Sequence, residues 1–335
     1  MRRRRHAAGG LVRVSGLDGA GTGDTLSPPG DPLMIRPWTA PEPLLPLAVR
    51  AHGRADGGKL SQGLARMAAE DTGMRLERDP ETGQTVLWCM GEAHAGLALE
   101  RLRERYGVRA DAVPRLVPLR ETFASRARGR GRQVRQSGGH GRYAVCEIQV
   151  EPLPCGSGVE FADRVTGGAV PRPFVASVEK GVRGQAARGV AAGYPLVDVR
   201  VTLLDGKAHS VDSSDAAFRA AGAPALREAA VEADLRLLEP VAQVRVSVPD
   251  AYAGTVMGDL AGRRGRVLGT EQESDGRVLV RAEVPEIEID RYAVDLRSLT
   301  HGTGRFDRAY ARHEPMPPER AERLGISRQA LTKGH

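Results

Sequence analysis

Between Ser125 and Arg142 stand Arg126, Arg128, Arg130, Arg132, Arg135 and Arg142, together with His140, and no acidic residue interrupts them. The first four alternate with the small residues Ala127, Gly129 and Gly131. In an extended segment a spacing of two puts alternate side chains on one face, so these four guanidinium groups are expected to form a ladder. Such a ladder matches a phosphate backbone, and an anionic partner relieves its self-repulsion. RNA contact is the stronger reading and a solvated charge run the weaker one. Few aromatic residues lie nearby, so base stacking is not the expected mode.

Other stretches suggest chemistry and fail on inspection. In GRADGGKLS, residues 53–61, Gly53, Gly58 and Lys59 have the spacing of a nucleotide-binding P-loop. Leu60 occupies the place where a magnesium-ligating hydroxyl is required, and the chain has no asparagine with which to read a guanine base. The glycine-rich SGGHG, residues 137–141, leads into the alternating RYAVCEIQV, hence into a strand. It therefore lacks the helix N-terminus that makes such loops hold phosphate. Its glycines suit a tight exposed turn. His209 in DGKAHSVDSSDAAF reads as a turn residue after Asp205 and Gly206, ahead of a helix capped by Asp212 or Ser213 with Asp215 in its first turn. His94 reads as a helix-start residue, and neither histidine lies in a metal-ligand pattern.

The surrounding elements must position these residues. A chain of 335 residues, 41% hydrophobic, can bury two or three cores. Its charge is +7 with a pI near 9.7, but only Lys59, Lys180, Lys207 and Lys333 are lysines. With so general a bias toward arginine, only local clustering of charge carries information. Cys89, Cys146 and Cys155 are odd in number and dispersed, which argues against a disulfide framework or zinc site and favours a reducing cytoplasm. No apolar run reaches the roughly 18 residues of a membrane span.

Residues 11–36 read as a short strand and exit loop of a domain whose beginning is missing. Strands are expected at 44–49 and 85–90, with helices over 60–73 and 97–108 ending at Gly107, which together make a small α+β unit. A second unit begins near Arg115, with strands at 143–150 and 195–204 and helices at 177–190 and from about Ala216. From about Leu237 the first rhythm returns: strand 242–249, helix 252–265, strands 266–272 and 277–285, and a further segment at 289–300. The stretch after Pro317 is charged and weakly patterned.

Taken in order, GDTL (23–26), GEAHAGLALERL (91–102), LRETF (119–123), RQSGGHGRYA (135–144), GGAVPRPFVASVEKG (167–181), AAGYPLVDV (191–199), HSVDSS (209–214), LLEPV (237–241), GDLAGRRGRVLG (258–269) and LRSLT (296–300) resemble the C-terminal half of elongation factor G. GEAHA in place of GELHL, Ser210 after His209 and the HGTGRFDRAYARHEPMPP ending resemble the elongation factor G-like paralogue of actinobacteria. The resemblance implies a multidomain α+β chain, with two ferredoxin-like units flanking an elongated α/β domain similar to ribosomal protein S5 domain 2. It divides the chain into a β-barrel remnant and linker (1–40), a domain III-like unit (41–114), a domain IV-like RNA-contacting arm (115–236), a domain V-like unit (237–318) and a tail (319–335). It implies a ribosome-directed role in translation elongation, with ribosomal and transfer RNA as partners and no DNA or membrane. The arm tip corresponds to Gln136, Ser137, Gly138, Gly139, His140, Gly141 and His209. GTP and magnesium would belong to a G domain that these residues do not contain, so no cofactor is expected here and the chain should bind rather than catalyse. A monomer is expected unless the N-terminal edge self-associates. A ribosomal protection protein of the same superfamily and a truncated gene product without a role are the other readings.

Overall fold

The structure is a computed structural model that describes residues 9–14, 16–17, 19–28, 30–36, 41–135, 142–273, 275–324 and 326. The chain forms two compact units, residues 1–115 and 116–335.

In the first unit, strands β1 (Leu45–Ala51), β2 (Arg75–Arg78), β3 (Thr85–Cys89) and β4 (Ala110–Val113) alternate with helices α1 (Gly57–Glu70) and α2 (Glu92–Tyr106). The sheet order is β2-β3-β1-β4 with every pairing antiparallel, the ferredoxin-like βαββαβ arrangement. Leu60, Leu64 and Met67 recur along one face of α1 and are buried against Leu87, Cys89 and, from α2, Ala98 and Leu102. Gly107, at φ +64°, ends α2 in the left-handed conformation as the sequence predicts. Strands β2 and β4 lie at the sheet edges, and their sequences RLER and ADAV carry no alternating apolar pattern to announce them. The expected strand at 11–17 does not form among the described residues, where Leu11, Val12, Val14 and Leu17 are exposed. A strand needs a hydrogen-bonding neighbour, and all four strands of this sheet find theirs among one another.

The second unit begins with β5 (Arg120–Phe123), β6 (Ala127–Arg135), β7 (Arg142–Pro152), β8 (Val159–Asp163), α3 (Arg172–Ala186), β9 (Val199–Lys207) and α4 (Asp215–Val231). It continues with β10 (Leu235–Pro249), α5 (Asp250–Gly262), β11 (Arg266–Gln272), β12 (Arg277–Pro285), α6 (Tyr292–Leu299), β13 (Arg305–Pro315) and α7 (Pro318–Arg323). One sheet has the order β6-β7-β9-β8, with β8 and β9 parallel and joined through α3. The other repeats the ferredoxin-like order as β11-β12-β10-β13, and β5 pairs with the start of β10. Strand β10 is thus longer than expected, and the position at 236/237 taken for a domain boundary falls inside it. Strand β13 was not expected, and helix α7 forms in the weakly patterned stretch after Pro317, with Met316 and Ala321 buried in the same core as Phe123 and Phe218. Asp205 and Gly206 are strand residues of β9 rather than a turn. The cap of α4 is Ser214, whose hydroxyl accepts from the Ala217 N–H, rather than Asp212 or Ser213.

The glycines of RGRGR have a packing role. Gly129 and Gly131 are buried on the face of β6 that meets α4, and a Cβ on either would overlap a backbone carbonyl, that of Ala225 or Ala221. Because backbone cannot swing aside as a side chain does, Gly131→Ala is expected to destabilise the protein by about 2–3 kcal/mol. In contrast, Gly96→Ala on the exposed side of α2 meets nothing within 4 Å and should stabilise by about 0.5–1 kcal/mol. Urea unfolding of the two variants checks the difference in sign.

Ion pairs explain two of the motifs in the second ferredoxin-like part. Arg264, at φ +60°, places its guanidinium bidentately on the buried carboxylate of Glu239, at 2.6 and 2.9 Å, and its Nε on Glu288 at 3.0 Å. Arg320 of α7 reaches the same Glu288 at 2.7 Å. Glu283 accepts two hydrogen bonds from Arg312 and another from Arg266, which lowers its pKa from 4.5 to about 2. A depressed carboxylate stabilises the fold above its unfolded pKa and loses that contribution as pH falls through the folded one. The melting-temperature gap between wild type and Glu283→Gln should therefore be full above pH 4.5 and close as pH falls toward about 2. A gap independent of pH across that window would contradict the assignment.

Candidate nucleic-acid interface

Strands β6 and β7 form a hairpin whose last described pair is Arg135 opposite Arg142. Strand β9 stops earlier, with Lys207 opposite Val145. The pairs Gln133–Ala144, Val134–Tyr143 and Arg135–Arg142 therefore run past β9, by roughly 10 Å at about 3.3 Å per residue. Gln136, Ser137, Gly138, Gly139, His140 and Gly141 complete the hairpin in sequence and lie outside the described residues, as does the side chain of Arg135.

The alternation read from the sequence is present. Arg128, Arg130 and Arg132 are exposed while Ala127, Gly129 and Gly131 are buried between them. The ladder is not uniformly unpaired, however, because β7 brings carboxylates onto the same face. Glu147, opposite Arg130, lies 3.4 Å from its Nε. Glu151 pairs with Arg126 at 2.9 Å and with Arg200 of β9 at 3.3 Å, and Arg200 also reaches Glu160 at 2.9 Å. Arg126 is thus placed at the base of the hairpin, roughly 20 Å along the strand from Arg132, inside a balanced network. Arg128, Arg132, Arg142 and Lys207 are exposed, and none has a carboxylate within salt-bridge distance among the described residues. Charge is thus offset at Arg126 and Arg130, and left positive at Arg128 between them and, beyond Glu147, at Arg132, Arg142 and Lys207. Lys207 went unmarked in the sequence, since only the register of β9 on β7 brings it there.

His209 sits at that same end. The loop between β9 and α4 is tied to β7, with the Tyr143 N–H donating to the Asp212 carbonyl at 2.8 Å and the Ser213 hydroxyl donating to the Tyr143 carbonyl at 2.7 Å. The His209 and Tyr143 ring centroids are 6.0 Å apart. His94, by comparison, is satisfied within its own unit: its Nδ1 accepts from the Met90 N–H and its Nε2 lies 3.2 Å from Asp71. Among the described residues no cluster of histidine, cysteine or acidic side chains has the arrangement of a metal site. In the P-loop-like stretch, Lys59 is exposed and 3.7 Å from Asp56.

A ferredoxin-like unit, an α/β sheet bearing a basic hairpin and a second ferredoxin-like sheet, in that chain order, make up the architecture of the C-terminal domains of a translation elongation factor. Residues 40–114 match elongation factor G domain III, residues 114–234 match elongation factor G domain IV, and residues 236–324 match the elongation factor G C-terminus. The chain belongs to the elongation factor G family. It is 60% identical over 317 residues to the elongation factor G-like protein of Mycobacterium tuberculosis, covering 95% of this chain and 44% of that protein. Against elongation factor G of Aquifex pyrophilus it is 42% identical over 325 residues, covering 97% and 46%. A crystal structure from Thermus thermophilus aligns with a TM-score of 0.77 at 37% identity, over 89% of this chain and 44% of that one. The chain spans less than half the length of these relatives.

Proposed function

We propose that this chain is the ribosome-binding portion of an elongation factor G-like translational GTPase, acting in the translocation step of elongation. The hairpin end and the His209 loop contact RNA of the decoding centre and transfer RNA, while the two ferredoxin-like parts hold this region against the ribosome in the cytoplasm. The observation that carries this reading is the set of exposed cations on the hairpin, Arg128, Arg132, Arg142 and Lys207, with no described carboxylate within salt-bridge distance, beside Arg126 and Arg130, which Glu151 and Glu147 offset. Exposed cations on a protruding hairpin release counterions when they meet phosphates, which supplies affinity without base specificity. GTP hydrolysis, with its magnesium ion, belongs to a G domain outside these residues, and the work of this portion is positioning. Domain III-, IV- and V-like roles follow for 41–114, 115–236 and 237–318. No described helix is long and apolar enough to cross a membrane.

Co-sedimentation with purified ribosomes across a salt series tests the reading. Binding should be present at low salt and fall steeply as salt rises. No association at low salt, or binding indifferent to salt, would overturn it.

A further inference from the structure

The His209 loop carries a hydrogen-bond pattern that determines how its imidazole is presented. The backbone N–H groups of Val211 and Asp212 both donate to His209 Nδ1, at 3.3 and 3.2 Å. Two donors converging on one ring nitrogen require its lone pair, so the proton of the neutral ring sits on Nε2. The Asp212 carboxylate lies 3.4 Å from the same Nδ1, but a proton there would oppose both N–H groups. The ring itself is half-exposed, with 52% of the side chain accessible.

Ser213 fixes this arrangement to the hairpin. Its hydroxyl accepts from the His209 N–H at 2.8 Å and donates to the Tyr143 carbonyl at 2.7 Å, while its own N–H donates to the His209 carbonyl at 3.3 Å. Tyr143 is the second residue of β7. One hydroxyl therefore joins the start of the His209 loop to the strand leaving the hairpin end. It is not spent on capping α4, a task that Ser214 performs.

We propose that Ser213 is a positioning residue that clamps the 209–213 loop to β7, so that His209 offers its Nε2–H outward as a single neutral donor to an acceptor oxygen of bound RNA. The proposal rests on the RNA-binding reading above and adds the atom that makes the contact and the residue that aims it. Acting through His209, Ser213 need not touch RNA.

The test uses nitrogen NMR of the full chain at about pH 8, above the ordinary histidine pKa of about 6.5, with deacylated transfer RNA as the probe. In the wild type, His209 Nδ1 should give the signal of an unprotonated ring nitrogen, the Val211 and Asp212 amides should be protected from exchange, and added transfer RNA should shift the Nε2 signal. Ser213→Ala should speed exchange of those amides by about tenfold or more and abolish the RNA-induced shift, with melting of the rest of the chain retained. Ser213→Thr keeps the hydroxyl and should restore both. A protonated Nδ1 in the wild type, or unchanged amide protection in Ser213→Ala, overturns the proposal. An intact clamp whose Nε2 ignores transfer RNA and ribosomes alike overturns instead the RNA-binding reading on which it rests.

Discussion

Replacing Glu121 by alanine is expected to cost the second unit about 3–5 kcal/mol, a large share of the stability of any domain. Glu121 lies in β5 and is fully buried. Its carboxylate accepts four backbone N–H groups from one loop: Val190 and Ala191 on Oε2, at 2.7 and 3.0 Å, and Ala192 and Tyr194 on Oε1, at 2.7 and 3.0 Å. Hydrogen bonds to a charged acceptor are worth about twice neutral ones, and each donor left without a partner carries its own desolvation cost. Glu121→Gln keeps the volume but turns an amide NH2 toward two of the donors, so it should fall between wild type and alanine. Urea unfolding followed by circular dichroism measures the loss. A change below about 1 kcal/mol in Glu121→Ala would show that the loop is held by other contacts.

That carboxylate also shows where sequence reading stops. LRETF and AAGYPLVDV stand out as motifs, yet nothing in either says that Glu121 of the first closes the loop 190–194, which runs into the second. The pairing exists only through the fold. The same holds for Glu239 with Arg264, which joins LLEPV to GDLAGRRGRVLG. Elements with strong apolar periodicity were legible, α1 and β12 among them, because Leu60, Leu64 and Met67 or Val278, Val280 and Ala282 mark a buried face. Strand β13 was not, since it is an edge strand whose sequence RFDRAYARHEP shows no run of apolar residues and takes its place from pairing with β10. At the candidate interface, the alternation of arginine and glycine correctly gave the exposed face. It could not show that Glu147 and Glu151 arrive from the next strand, nor that Gly129 and Gly131 exist to admit α4. Sequence spacing records what one segment can present; what offsets it comes from segments distant in the chain.

The second large effect concerns Arg128, Arg130, Arg132 and Arg135 replaced together by glutamine. If these side chains neutralise phosphates, every phosphate that loses its cation takes about 0.7–0.9 off the slope of log affinity against log salt. Arg130 is shared with Glu147, so Arg128 and Arg132 should account for more of the change than Arg130 does. Ribosome affinity should fall by tens-fold or more and the slope should flatten by about two to four. Arg126→Gln, at the balanced base with Glu151, should change the slope little and serves as the control. His209→Ala removes a single hydrogen-bonding side chain and should likewise leave the slope nearly intact while impairing the step it serves when the chain is joined to a matching GTPase half.

Among these, the salt slope of ribosome binding for the four-arginine variant beside wild type tests the central claim most directly, provided both proteins melt at the same temperature. Binding to phosphates through the hairpin predicts a slope shallower by about two to four and a loss of affinity that shrinks as salt rises. Equal affinity and equal slope in the two proteins would contradict it and leave the basic hairpin as a solvated charge run.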